Sequence, residues 1–210
     1  MSICTIFAGG KISGTDFINP HEIREKSGLI ICADSGLRIA EKVGITPDLI
    51  VGDFDSYTGI LPEGIEIYRS VPEKDDTDTL MAVRIAIDRG YDEIRLYGGL
   101  GARFDHSFAN IQTLIFAYEN GCEMTICDAD NILTIRGVGE YEFSRKNDWY
   151  FSLFALTEKA EIGELKGVKY PLENYEMSIA YPIGVSNEIM ADKAYLRINS
   201  GIVLVIESKK

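Results

Sequence analysis

The sequence predicts an α/β domain followed by an all-β one. Short β-rich runs alternate with helix-length amphipathic stretches over residues 1–128. Helix-length stretches then stop, and residues 129–210 break into short strand-like pieces between Gly, Asn and charged turns. The first region is expected to fold as a mostly parallel sheet flanked by helices, Rossmann-like, and the second as a β-sandwich.

In chain order, "ICTIFAG" (3–9), "GLIICAD" (28–34), "PDLIVGD" (47–53), "GIEIYRS" (64–70), "EIRLYGG" (93–99) and "CEMTICD" (122–128) read as strands. "DTLMAVRIAIDRG" (78–90) and "HSFANIQTLIFAYENG" (106–121) read as helices. In the second helix Phe108, Ile111, Leu114, Ile115 and Tyr118 share one face at 3.6 periodicity, and Gly121 supplies the C-terminal stop. "NILTIRG", "GEYEFSR", "WYFSLFAL", "AEIGELKG", "EMSIAYPI", "AYLRINSG" and "IVLVIES" supply strands to the second region. Trp149, in a run apolar on both alternating faces, is expected in the core.

At 210 residues and 46% apolar content the chain can bury a sizeable core. Its apolar runs are strand-sized, well below the roughly 18 residues of a membrane span, and "MSICTIFAGG" lacks a basic flank and cleavage site. A cytoplasmic protein is expected. The net charge of -12 disfavours nucleic acid and anionic membrane as partners; it is compatible with a cationic substrate or a metal, and equally with an acidic surface that only keeps the protein soluble. Four scattered cysteines without a CxxC pair and two histidines, His21 and His106, leave no zinc set; a metal here is expected to be a hard cation held by oxygen.

Ligands of open α/β sheets bind outside the carboxyl ends of the strands, so those ends carry the candidates. "VGDFDS" places Asp53 and Asp55 two residues apart on an extended segment, hence on one side. Two carboxylates so close repel unless a cation lies between them, and Mg²⁺ takes one or two carboxylates together with waters and phosphates. A turn built of Gly, Asp and Ser is the alternative. "EKDDTDT" (73–79) offers helix capping by Asp76 or Thr77, or phosphate and metal handling by Lys74 and its aspartates. In "GGLGARFDH", Gly98, Gly99 and Gly101 permit close approach of backbone amides to a phosphate and Arg103 adds a bidentate donor, with Asp105 as the plain helix cap. The Walker spacing is absent, and "AGGKISG" lacks GxGxxG, which disfavours a nicotinamide-linked oxidoreductase. "CADSG" contributes Asp34. His106 reads as structural, and "YPIGVSNEI" (181–189) by itself as a turn.

The ordered set "CADSG", "PDLIVGDFDS", "KDDTD", "GGLGARFDH" and "GVSN", in an α/β half followed by a β half, resembles the thiamine pyrophosphokinase family over nearly the whole chain. The resemblance implies transfer of the pyrophosphoryl group of ATP to the hydroxyethyl oxygen of thiamine, giving thiamine diphosphate and AMP. It implies a Mg²⁺-dependent homodimer, with residues 1–128 binding ATP and metal and residues 129–210 binding the vitamin at the subunit interface. By motif match, Asp53, Asp55 and Asp78 look like metal ligands, and Lys74, Ser56 and Arg103 like phosphate contacts, beside Gly98, Gly99 and Gly101. Asp105, with Asp34 second, is the candidate base, and Ser186 and Asn187 the thiamine contacts. The chain has Ser35 and Ala102 where family members often carry glycine; a positive φ at either would cost about 1 kcal/mol. A Mg²⁺-dependent nucleotide phosphohydrolase and a non-catalytic nucleotide-sensing module are the rival readings.

Overall fold

A computed structural model describes residues 2–53, 62, 64–69, 76–101 and 103–210. Asp55, Ser56, Lys74 and Ala102 lie outside the described residues. The chain divides into two units, Met1–Ala129 and Asp130–Lys210.

The first unit runs β1 (Ile3–Phe7), α1 (Pro20–Lys26), β2 (Ser27–Ala33), a 3₁₀ turn (Asp34–Gly36), α2 (Leu37–Lys42), β3 (Leu49–Gly52), β4 (Glu66–Arg69), α3 (Asp78–Asp88), β5 (Glu93–Tyr97), α4 (Phe104–Glu119) and β6 (Glu123–Cys127). The six strands stand in the order β4-β3-β2-β1-β5-β6, every pair parallel. Chain order reverses at β1, whose neighbours β2 and β5 are reached by opposite excursions. A ligand crevice is expected at that point, above the strand ends.

Burial on both faces explains why these strands read as continuous apolar runs. Phe7, Ile30, Cys32, Ile50 and Tyr97 meet Ile23 of α1 and Leu37, Ile39 and Ala40 of α2 in one core cluster. Ile31, Leu49 and Val51, of the opposite parity, are fully buried as well, and α3 packs on β1, β2 and β3. Burial pushes the Cys4 and Cys32 thiols upward, so both behave as small apolar groups. Strand β4 at the edge is exposed throughout.

Two short helices, α1 and α2, were not expected. Asn19 opens α1 by accepting from the backbone N–H groups of His21 and Glu22, with Pro20 in the first turn. Helix α4 begins two residues before the expected start. Its N-cap is Arg103, without a side-chain cap bond, so Asp105 sits in the first turn instead of capping it. Its buried face is also displaced from the expected stripe: Asn110, Thr113, Leu114 and Ala117 point inward, while Phe108 is 52% and Tyr118 38% exposed. The inward face is partly polar: Asn110 meets a glycine loop, described below, and Thr113 turns its hydroxyl back to the Ala109 carbonyl of its own helix.

The second unit holds two antiparallel sheets. One has the order β7 (Asn131–Arg136), β13 (Val203–Lys209), β9 (Trp149–Ala155). The other runs β11 (Leu172–Ser178), β10 (Lys159–Lys166), β12 (Lys193–Ser200), β8 (Gly139–Ser144). Phe151 and Leu153 of β9 and Val203 and Val205 of β13 interdigitate with Ile162, Met177, Leu196 and Ile198 of the facing sheet in a single core, the arrangement of a sandwich. Trp149 departs from expectation: it is half-buried, with the Lys146 ammonium 5.3 Å from its ring centroid, outside that core. The strand expected at "EMSIAYPI" ends at Ser178, and Ile179, Tyr181 and Ile183 beyond it are exposed.

Candidate active site

Four strand ends and two helix starts of the first unit surround a cleft of about 460 Å³. Gly9 and Gly10 follow β1, Asp34 follows β2, Asp53 follows β3, and Gly98, Gly99 and Gly101 follow β5; all of them line it. The residues opening α3 and α4 complete it, among them Asp78 and Arg103.

Each acidic group has a local reason for its place. Asp53 is the first residue past β3, where the ladder with β2 ends. Asp34 adopts a left-handed backbone (φ 46°) at the head of the 3₁₀ turn, a sparsely populated conformation of the kind that collects at ligand sites. The left-handed residue is thus Asp34 and not Ser35. Thr77 caps α3 by accepting from the Leu80 N–H (3.1 Å), which leaves Asp78 in the first turn, where the helix dipole favours a carboxylate. Asp76 is occupied structurally by an ion pair with Arg84 (2.8 Å).

Two loops make the cleft floor by interlocking. The Gly10 N–H donates to the Gly98 carbonyl (2.9 Å), and a Cβ at position 10 would run into the carbonyls of Gly98 and Leu100. Gly98 itself has φ +70°, and a Cβ there would strike the Ala8 carbonyl. Glycine is needed at both positions because backbone packs on backbone. Above the floor, Asn110 of α4 donates to the Gly99 carbonyl (2.6 Å), and Ser107 accepts from the Gly101 N–H (3.3 Å).

Arg103 and Asp105 form a bidentate pair, Nη2 to Oδ2 at 2.6 Å and Nε to Oδ1 at 3.2 Å. The hydrogen bond from Arg103, helped by the His106 N–H, holds the Asp105 carboxyl below the ordinary carboxylate range, and Asp105 in turn raises the Arg103 guanidinium. Both side chains are well exposed, so the pair is screened by solvent. Arg103 lines the cleft and Asp105 does not.

The structure therefore brings Asp34, Asp53, Asp78, Arg103 and the three glycines to one cleft, with Asp105 beside it through Arg103. The donor set would suit a hard cation, since Asp53 and Asp78 both bring carboxylate oxygens to the lining. Among the described residues no three His, Cys, Asp or Glu side chains close around one point. Lys11, His106 and Asn110 also line the cleft without having been singled out as ligand-facing. The signal for Lys11 was its position directly after the glycines that end β1.

Ser186 and Asn187 belong to the second unit. Ser186 is exposed, has φ +60°, and donates its N–H to Ser152 Oγ (3.0 Å). Asn187 is buried, and its amide is spent on the backbone of Tyr170, Nδ2 donating to the carbonyl (2.8 Å) and Oδ1 accepting from the N–H (3.0 Å). The neighbouring Glu188 is held by Lys210 (2.6 Å) and Lys169 (2.9 Å), which lower its pKa to about 2.

Acidic and cationic groups facing glycine backbone, at the carboxyl edge of a parallel sheet, define a phosphotransferase-type α/β unit, here joined to a β-sandwich. Comparison with known proteins makes the class specific. The chain belongs to the thiamine pyrophosphokinase family: the family model described as thiamin pyrophosphokinase, catalytic domain, matches residues 20–126, and that described as thiamin pyrophosphokinase, vitamin B1 binding domain, matches residues 140–203. The thiamine pyrophosphokinase of Bacillus subtilis is 30% identical over 188 residues, covering 86% of this chain and 87% of that protein. The crystal structure of a Bacillus subtilis thiamine pyrophosphokinase matches all of both chains with a TM-score of 0.88 at 26% identity. That of a Geobacillus thermodenitrificans thiamin pyrophosphokinase matches 99% of this chain and 98% of its own with a TM-score of 0.81 at 27% identity. The protein is thus an enzyme of a family whose reaction is pyrophosphoryl transfer from ATP.

Proposed function

We propose that this chain transfers the intact pyrophosphoryl group of ATP to the hydroxyethyl oxygen of thiamine, releasing AMP. The observation that carries the reading is the convergence of Asp34, Asp53, Asp78 and Arg103 on a glycine-floored cleft at the sheet's switch point. We assign residues 1–128, with their Rossmann-like sheet, to ATP and metal, and residues 129–210 to the vitamin, in a cytoplasmic homodimer. Asp53 and Asp78, with Asp55 beyond the described residues, would hold Mg²⁺. A divalent cation held there would supply neutralisation of the negative charge on the phosphate tail.

The protein's own groups do the rest. Arg103, with Lys74 and Ser56, contacts phosphate oxygens, and amides of the Gly98–Gly101 loop add further donors. Asp105 receives the hydroxyl proton, and Asp34 is the second candidate. While Arg103 holds it, Asp105 is a weak base; a guanidinium turned toward phosphate releases the carboxylate and raises its basicity where the proton must go. Ser186 of the partner subunit contacts thiamine, and the partner's Asn187 fixes the turn that presents it. The acidic cleft draws in the thiazolium cation.

Incubating the protein with ATP and Mg²⁺, with and without thiamine, tests the proposal. Thiamine-dependent release of AMP with stoichiometric thiamine diphosphate is expected. Thiamine-independent release of AMP or phosphate would instead identify a nucleotide hydrolase, and tight ATP binding without any product a nucleotide sensor.

A further inference from the structure

We infer that Asn110 is a positioning residue that aims two backbone amides of the β5–α4 loop at the substrate's phosphates. Asn110 is 5% exposed, lines the cleft, and spends a side-chain N–H on the Gly99 carbonyl at 2.6 Å. In a planar trans peptide the C=O and the following N–H point in opposite directions. With the Gly99 carbonyl drawn toward α4, the Leu100 N–H faces the other way. The peptide before it is fixed similarly, because Gly98 C=O accepts from the Gly10 N–H at 2.9 Å, so the Gly99 N–H is directed away from the β1 loop. Gly99 and Leu100 both line the cleft, and among the described residues neither amide has a protein acceptor. Two successive unclaimed N–H groups after a left-handed glycine form an anion-binding concavity. Gly10 fixes one of its amides and Asn110 the other.

The alternative is a buried asparagine that merely satisfies its own polar atoms and tethers α4. The two differ in what a change at position 110 does to ligand affinity. The inference rests on the polyphosphate reading of the cleft, so binding is read apart from turnover. Affinity for α,β-methylene-ATP, in Mg²⁺ buffer, is measured by calorimetry for wild type, Asn110→Ala, Asn110→Ser and Asn110→Asp at pH 6 and pH 8, with circular dichroism as the check on folding.

A carboxylate cannot donate to the Gly99 carbonyl, whereas a carboxylic acid can, and burial raises the pKa at this position. Asn110→Asp is expected to bind at least tenfold more weakly than wild type at pH 8 and within threefold of it at pH 6. Asn110→Ala is expected to lose at least tenfold at both pH values. Asn110→Ser, which keeps a shorter donor, is expected to lose less than Asn110→Ala. In turnover the loss is expected in KM for ATP, with kcat changed less than threefold. A folded Asn110→Ala that binds within twofold of wild type overturns the inference, as does an aspartate defect equal at both pH values. Unfolding of all three variants overturns it as well, assigning Asn110 to fold stability. Wild type that binds the analogue but forms no AMP with thiamine refutes the proposed function alone and leaves Asn110 to be decided by the binding series.

Discussion

Arg103 and Asp105 are joined by two hydrogen bonds with nothing else burying them, so the pair is easily separated by a competing anion. If Asp105 is the base, Asp105→Asn lowers kcat by about a hundredfold or more, the usual contribution of general base catalysis, with KM for ATP little changed. A kcat within a few-fold of wild type would move the role to Asp34. Asp53→Asn removes a proposed metal ligand, and a loss of activity of about a hundredfold or more is expected in the AMP-formation assay, a size typical of removing one electrostatic group from a preorganised site. At this scale the carboxylates were the most legible residues. Asp34 and Asp53 end apolar strands, and a strand end is visible in composition. Asn110 was illegible because one asparagine inside an amphipathic helix looks like any tolerated polar residue; its meaning comes from its hydrogen bond to Gly99, eleven positions away in the chain.

Among the elements, α3 and α4 stand where periodicity placed them, and the errors are instructive. The stripe through Phe108, Ile111 and Tyr118 is the more hydrophobic face of α4, yet the inward face carries Asn110, Thr113 and Ala117. Periodicity alone could not see that Asn110 is turned inward by its hydrogen bond to the Gly99 carbonyl. Helices α1 and α2 are seven and six residues long, too short for periodicity to register. For α1 the signal was its Asn19–Pro20 cap, whereas α2 has no side-chain cap to announce it. The α3 cap can be checked directly: Thr77→Ala removes the acceptor for the Leu80 N–H and is expected to destabilise the protein by about 1 kcal/mol in denaturant unfolding. Because that cap also fixes Asp78, activity should fall further than the stability change alone accounts for.

For the whole molecule, the change from alternating α/β to continuous β texture near residue 129 reflects two different periodicities in the sequence. The boundary between the structural units falls at Ala129/Asp130. The proposed homodimer makes a sharper demand, since it draws cleft residues from one subunit and Ser186 from the other. Asp53→Asn and Ser186→Trp, each inactive alone, are expected to recover about a quarter of wild-type activity when refolded together, because half the dimers are mixed and each of these has one intact site of two. No recovery would place both sets of residues in one chain's site or deny Ser186 its role.

The meshing of the β1 and β5 loops has a bearing on how such an enzyme can diverge. Any side chain at position 10 forces apart two carbonyls that also set the direction of the neighbouring amides. The breadth of the cleft is therefore not a quantity that selection can adjust by degrees through that residue. Room for a different substrate has to come from other lining positions, such as Lys11 and His106.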